Sequence, residues 1–314
     1  MKKSKISILL LAMVMILAIS AVSAADTDDT SDSDVLSVEE AAVDEVVSAD
    51  AVDEVQTATE DAEVLSADGD GNFTELQTSV NTGMVMMNKD YTRVDGENDI
   101  SITKDVTILG NDHKIDANNL GGIFRINSGY TLTLIGVTLI NGNSEYGGAI
   151  YNDGGSATIV NSYFLDNTAE KSGGAIYNNA GSMQITGSTF DGNDLTDRTV
   201  NGYGGAAIYD NGGTILMSTC TVTNNLKDIV HRGGTGAYTG DLSSAAVTST
   251  GSLTVSDSRF ENNSGSYGGA ILSNGANAIL TVSGSNFTNN FAFNGGAIDF
   301  VGNTYTIVDR KSVV

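Results

Sequence analysis

The sequence predicts an all-β chain: a right-handed, single-stranded parallel β-helix closed at its N-terminal end by one short helix. Three observations predict it. Gly-Gly-Ala-Ile recurs at Gly147–Ile150, Gly173–Ile176, Gly268–Ile271 and Gly295–Ile298, and with one extra alanine at Gly204–Ile208. A second motif, Phe-x-x-Asn, follows each copy but the last after an apolar alternating stretch. It stands at Phe164–Asn167, Phe190–Asn193, Phe260–Asn263 and Phe287–Asn290, with Val222–Asn225 as a substituted copy. Finally, glycine supplies 37 of 314 residues and proline none, against usual shares of about 7% and 5%. A chain that needs nearly every backbone N–H for strand ladders and turns tightly between strands has this bias.

The first element is a secretory signal over residues 1–24. Lys2, Lys3 and Lys5 form its basic start, Ile6–Ile19 its apolar run, and Val22-Ser23-Ala24 the small residues of a cleavage site. The apolar run is short for a hydrocarbon core about 30 Å thick, so it reads as cleaved rather than as an anchor.

Residues 25–70 follow as an acidic, disordered leader. Of the 39 acidic residues 17 lie there, and none of the 15 basic ones. The leader repeats Ala-Val-Asp-Glu-Val at Ala42–Val46 and Ala51–Val55 and carries too little apolar bulk to offset the entropy of ordering. Residues 71–314 keep 12 basic against 22 acidic residues, so a nucleic acid or an anionic lipid surface is an unsuitable partner. Asp68-Gly-Asp70-Gly-Asn72 opens like a calcium loop. Phe73 then stands where the turn glycine is required and Ser79 where the bidentate glutamate belongs, so the loop is not assigned to calcium.

The β-helix is expected over residues 71–308. Its exposed first edge needs a cover, and Asn72-Phe-Thr-Glu75 resembles a capping box, with Phe73, Leu76 and Val80 on one helical face over residues 72–81. Irregular first coils follow from Met84 to Ile115, with Ile100/Ile102 and Val106/Ile108 as strand cores.

The regular repeats start at 147, 173, 204, 244, 268 and 295, Ser244–Val247 filling the place of one Gly-Gly-Ala-Ile copy. The connection after the asparagine varies in length, with the longest insertion at about Leu226–Ser243. A constant core with variable insertions at one corner is a solenoid, and its crossovers are expected to be right-handed.

Strand alternation then assigns faces. Phe164, Phe190, Val222, Phe260 and Phe287 form one inward column, and Ile150, Ile176, Ile208, Val247, Ile271 and Ile298 another. Cys220, the sole cysteine, takes a serine's place in its column and reads as a small buried residue. Asn167, Asn193, Asn225, Asn263 and Asn290 are expected to form a corner ladder, because asparagine tolerates left-handed geometry and its amide reaches the next coil. Asp309–Val314 breaks the pattern and reads as a non-native end, so the gene model is expected to be truncated inside a coil.

Within this frame Ile108–Asp116, Gly122–Asn127 and Leu132–Gly142 resemble the opening coils of the adhesin-like proteins of methanogenic archaea. The Gly-Gly-Ala-Ile-Tyr-Asn and Phe-x-x-Asn units resemble the polymorphic outer-membrane-protein repeats of bacterial surface proteins. The resemblance spans about residues 70–308 and implies a secreted or cell-surface adhesin, with a cell-surface glycan or protein as partner. It would also imply Ig-like repeats and a C-terminal anchor, neither of which this sequence contains.

Two function classes compete. Polysaccharide lyases and glycoside hydrolases share the pectin-lyase-like β-helix and need a carboxylate pair about 5–9.5 Å apart, or a base beside a cation. Asp116, Asp153, Asp166, Asp191, Asp210 and Asp299 are the acidic candidates. They read as corner residues, while Lys171, Arg198, Lys227, Arg232 and Arg259 share no register and His113 reads as a turn residue. No catalytic residue, metal or cofactor is therefore assigned, since His113 and His231 are the only histidines.

A binding face is the better-supported class. Tyr151, Tyr177 and Tyr209 follow the inward isoleucines and should point outward on successive coils, and Tyr146, Tyr203 and Tyr267 precede the double glycine as a second set. Such rows can bind sugars or proteins, or only stack on one another to stiffen the rod. Asn72, Asn262 and Asn286 are Asn-x-Ser/Thr acceptors for N-glycosylation on an exported chain.

Overall fold

The computed structural model describes residues 69–196, 204–225, 245–302 and 304–308, all within one compact unit. The expected signal, almost all of the acidic leader, the insertion at about 226–243, Tyr203 and residues 309–314 lie outside the described residues.

Among the described residues, strands of two to five residues wind into a parallel β-solenoid of about eight turns. Sheet A runs from Met84–Met86 to Thr304–Val308 in nine strands. Sheet B runs from Tyr91–Thr92 to Asn286–Thr288 in eight, and sheet C from Ile100–Ile102 to Ile298–Val301 in eight. One turn passes from sheet C to A to B. In the middle coils it adds a short sheet D made of Asn143–Tyr146, Thr168–Ser172 and Asp194–Leu195. Every strand pair is parallel, and each joins residues a whole turn apart.

Like residues stack. Phe164 faces Phe190, then Val222, Phe260 and Phe287 in register, with Leu139 and Ile115 below. Phe164 and Phe190 lie 4.6 Å apart and nearly parallel, as do Phe260 and Phe287 at 4.9 Å. The isoleucine column runs Ile100, Phe124, Ile150, Ile176, Ile208, Val247, Ile271, Ile298. These side chains join one continuous core, so each coil buries its apolar face only against its neighbours.

The register corrects one reading of the repeat. Ile176 aligns with Ile208, and Gly205, at φ 72°, takes the left-handed place of Gly173 at φ 66°. Ala206 therefore replaces the second glycine, and no alanine is inserted. A side chain at Gly173 would collide with the Ile176 carbonyl oxygen, which is why glycine holds this corner.

The asparagine ladder forms with its amides bridging coils as expected, but the left-handed geometry is not on the asparagines themselves. Asn167, Asn193, Asn225 and Asn263 are fully buried, and the left-handed residue is the one before each: Asp166, Gly192, Asn224 and Asn262. The turn at the preceding residue swings the amide inward, where it bridges coils.

The N-terminal helix spans Phe73–Val80, with Phe73, Leu76 and Val80 buried against the first coils. Asn72 Oδ1 accepts from the Glu75 N–H at 2.9 Å, one half of the expected capping box. Glu75 does not reciprocate, because its carboxylate pairs with Lys89. Glu97 instead accepts from the Phe73 and Thr74 N–H groups at 3.1 and 2.8 Å and from the Thr74 hydroxyl at 2.7 Å. Gln77 covers the edge of sheet C as a strand would: its Oε1 accepts from Ser101 N–H at 2.7 Å and its Nε2 donates to the Ser101 carbonyl at 3.1 Å.

Candidate functional site

The double-glycine corner sets the geometry of sheet C. After it the chain alternates, so Ile150, Ile176 and Ile208 face inward and the next residues, Tyr151, Tyr177 and Tyr209, face outward. The three rings form a ladder with centroid separations of 5.4 and 5.5 Å and interplanar angles of 12° and 7°. Ring faces are covered by ring faces along this row, and what it turns outward is ring edges.

Below Tyr151 the Arg125 guanidinium lies 4.5 Å from the ring centroid and pairs with Asp153 at 2.9 Å. Burial raises the Tyr151 phenol above its ordinary pKa; Asp153 adds to the rise and Arg125 opposes it. Two residues on from the tyrosines, Asp153, Asn179 and Asn211 form a parallel outward column. Asn211 Nδ2 donates to Asn179 Oδ1 at 2.9 Å, and Asn179 Nδ2 to Asp153 Oδ1 at 3.2 Å.

Of the second expected tyrosine set, Tyr203 lies outside the described residues. Tyr146 tilts against Tyr177, with centroids 4.9 Å apart and planes at 57°, at the corner where the register of sheet D shifts between Ala169 and Ser172. Lys171 Nζ lies 5.4 Å from the Tyr146 centroid and pairs with Glu145 at 2.5 Å. Tyr267 pairs with Asn294 on the next coil and stands outside the ladder, whose column continues as the buried Thr248 and Leu272.

Of the glycosylation acceptors, Asn72 is half-buried and engaged as the helix cap, whereas Asn262 and Asn286 are exposed.

Four of the acidic candidates stand at corners: Asp166 within one, and Asp116, Asp153 and Asp191 as the last residues of their strands. Only Asp166 has left-handed geometry, at φ 51°; the other five lie in strands, where the alternation puts them on different faces. Asp116 and Asp191 belong to sheet B, Asp153 and Asp299 to the outer face of sheet C, and Asp210 points into the core. Burial pushes the Asp116 carboxyl up, but hydrogen bonds from Asn141 and the Asn118 N–H, together with Lys114, bring it net below its usual range.

Asp210 belongs to a polar column that sequence reasoning missed. Asn152, Asn178, Asp210, Ser249 and Ser273 stack inside sheet C, all fully buried. Asn152 Nδ2 donates to Asn178 Oδ1 at 2.7 Å and Asn178 Nδ2 to Asp210 Oδ1 at 2.8 Å, while the Ser249 hydroxyl donates to Asp210 Oδ2 at 2.7 Å. Burial raises the Asp210 pKa, against the hydrogen bonds from Ser249, Asn178 and Gly213. Strand alternation carried the signal, since Asn152 is two residues from the inward Ile150. Among the described residues no helix is long and apolar enough to cross a membrane.

A family model described as the Chlamydia polymorphic membrane protein repeat matches residues 161–179, which run from the Phe164 strand through the asparagine ladder and sheet D to Tyr177 and Asn179. No curated protein and no solved structure matches the chain. The chain is thus a parallel β-solenoid of stacked repeats, one of them similar to the polymorphic membrane protein repeat.

Proposed function

We propose that this chain is an exported, adhesin-like cell-surface protein, a stiff β-helix that binds a glycan or protein of a host or partner cell through the outer face of sheet C. The observation that carries this reading is the tyrosine ladder Tyr151–Tyr177–Tyr209, joined by Tyr146 and flanked by Arg125, Asp153, Asn179 and Asn211. Rigid aromatic edges beside fixed amides lose little conformational entropy when a partner docks. The similarity of residues 161–179 to a membrane-protein repeat fits a surface role, and the basic, apolar and small residues of the first 24 positions support export.

The distribution of the carboxylates over separate faces weighs against a lyase or hydrolase. Tyr177→Ala is expected to abolish binding to whole cells while the β-rich circular dichroism spectrum persists. Unchanged cell binding would remove the reading, and release of unsaturated or reducing sugar ends from pectin-type polysaccharides would replace it with the enzymatic one.

A further inference from the structure

Two outward columns run side by side up sheet C with a period of one coil. One carries the phenol edges of Tyr151, Tyr177 and Tyr209; the other carries Asp153, Asn179 and Asn211. Each coil therefore offers one aromatic edge and one amide or carboxylate, and the tyrosines repeat every 5.4–5.5 Å. A ligand that uses all three rungs equally is a polymer lying along the solenoid axis whose unit advances by about one coil. An extended peptide does not fit, because its rise of about 3.3 Å per residue, or about 6.7 Å per pair, matches the coil spacing in neither case. A linear chain of pyranose units fits, and sugar hydroxyls pair with amides and phenols in both hydrogen-bonding directions.

Charge narrows the class. Residues 71–314 carry 22 acidic against 12 basic residues, and the two cations beside the ladder, Arg125 and Lys171, are already paired with Asp153 and Glu145, so the overall acidic balance disfavours an anionic chain and neither cation is spare to hold one. Building on the reading of sheet C as the binding face, we propose that the double column is a three-subsite array for an extended, uncharged, linear glycan laid along the solenoid axis, one pyranose unit per coil.

The test is calorimetric titration of the full chain with uncharged β-1,4-linked oligosaccharides (cello-, xylo-, manno- and N-acetylchito-series) of one to six units, beside oligogalacturonates of matching length. Affinity is expected to rise from one to three units in at least one uncharged series and to level off beyond, with the oligogalacturonates at least tenfold weaker. Tyr177→Phe, which keeps the ring stack, and Asn179→Ala, which leaves the tyrosines in place, should each weaken the three-unit ligand at least tenfold.

Absence of binding in every uncharged series overturns the proposal, as does affinity independent of length or equal affinity for the charged chain. If Tyr177→Ala abolishes cell binding while no oligosaccharide binds and periodate-treated cells still adhere, the face remains a binding surface and the glycan assignment falls. Length-dependent sugar binding with unaltered cell adhesion sustains the glycan site and removes the adhesive role.

Discussion

Asn193 joins two coils through one side chain: its Oδ1 accepts both the backbone N–H and the Nδ2–H of Asn167, at 3.0 and 3.1 Å, while its own Nδ2 donates to the Phe164 carbonyl at 3.0 Å. Asn225, Asn263 and Asn290 repeat the contact up the corner. Alanine at 193 would leave the buried Asn167 backbone N–H without a partner and remove the acceptor of its Nδ2, a loss of about 1–3 kcal/mol for each buried group left unpaired. Asn193→Ala is expected to cost at least about 2 kcal/mol, read as a lower urea midpoint. An unchanged midpoint would show that the ladder is decorative.

Asp210 places a carboxyl in a column that otherwise holds amides and hydroxyls. Its folded-state pKa is raised by burial, so the stability it contributes is present in full below the unfolded carboxylate pKa and is lost as pH rises through the folded one. Asp210→Asn keeps the acceptor for Asn178 and Gly213 and lets the Ser249 hydroxyl accept instead of donate. The variant should therefore be more stable than the parent at pH 7, by about 1.4 kcal/mol for each unit by which the pKa is raised. The two should converge near pH 4. Paired urea titrations at both values check this; a variant weaker at pH 7 would mean that the carboxylate is well solvated.

Glu97 reaches the N-terminal helix from 23 or 24 residues downstream and accepts from the Phe73, Thr74 and Val94 N–H groups. Burial pushes its carboxyl up, yet hydrogen bonds from Val94, Thr74 and Phe73 outweigh it and hold the pKa below the ordinary value. The sign is thus opposite to Asp210: its contribution is present above the unfolded carboxylate pKa and lost as pH falls through the depressed folded one. Glu97→Ala should release the helix by about 1–2 kcal/mol. Hydrogen exchange should then accelerate over residues 73–80 and in the Ile100–Ile102 strand, and leave the Phe164 coil unaffected.

Cys220 fills a serine position, with its backbone N–H donating to Ser258 Oγ at 3.0 Å, and burial raises its thiol to about 11. Iodoacetamide at pH 8 should leave the folded protein unmodified and alkylate it only in denaturant. Cys220→Ser restores the serine column seen at Ser162, Ser188, Ser258 and Ser285, and should change stability by less than about 1 kcal/mol. Rapid alkylation of the native protein would place the thiol at the surface.

The columns of the solenoid were legible because a repeat stacked on itself turns sequence spacing into spatial register. Phe164 over Phe190 and Ile150 over Ile176 follow from the motifs alone. The asparagine ladder was legible in membership and in its amide bridge between coils but not in its turn, since the left-handed residue is Asp166 and its counterparts. Glu97 and Gln77 left no trace in the sequence, because they act once, at an end where nothing repeats.

By itself the sequence determined the alternation, and therefore which side chains share a column. The tertiary structure alone decided what each column does. It turned Tyr146 onto Tyr177, spent the tyrosine faces on one another, and enclosed Asp210 among amides. The physical reason is that periodicity is carried by the backbone, whereas solvent access and the partner across a corner depend on how tightly successive coils close over each side chain.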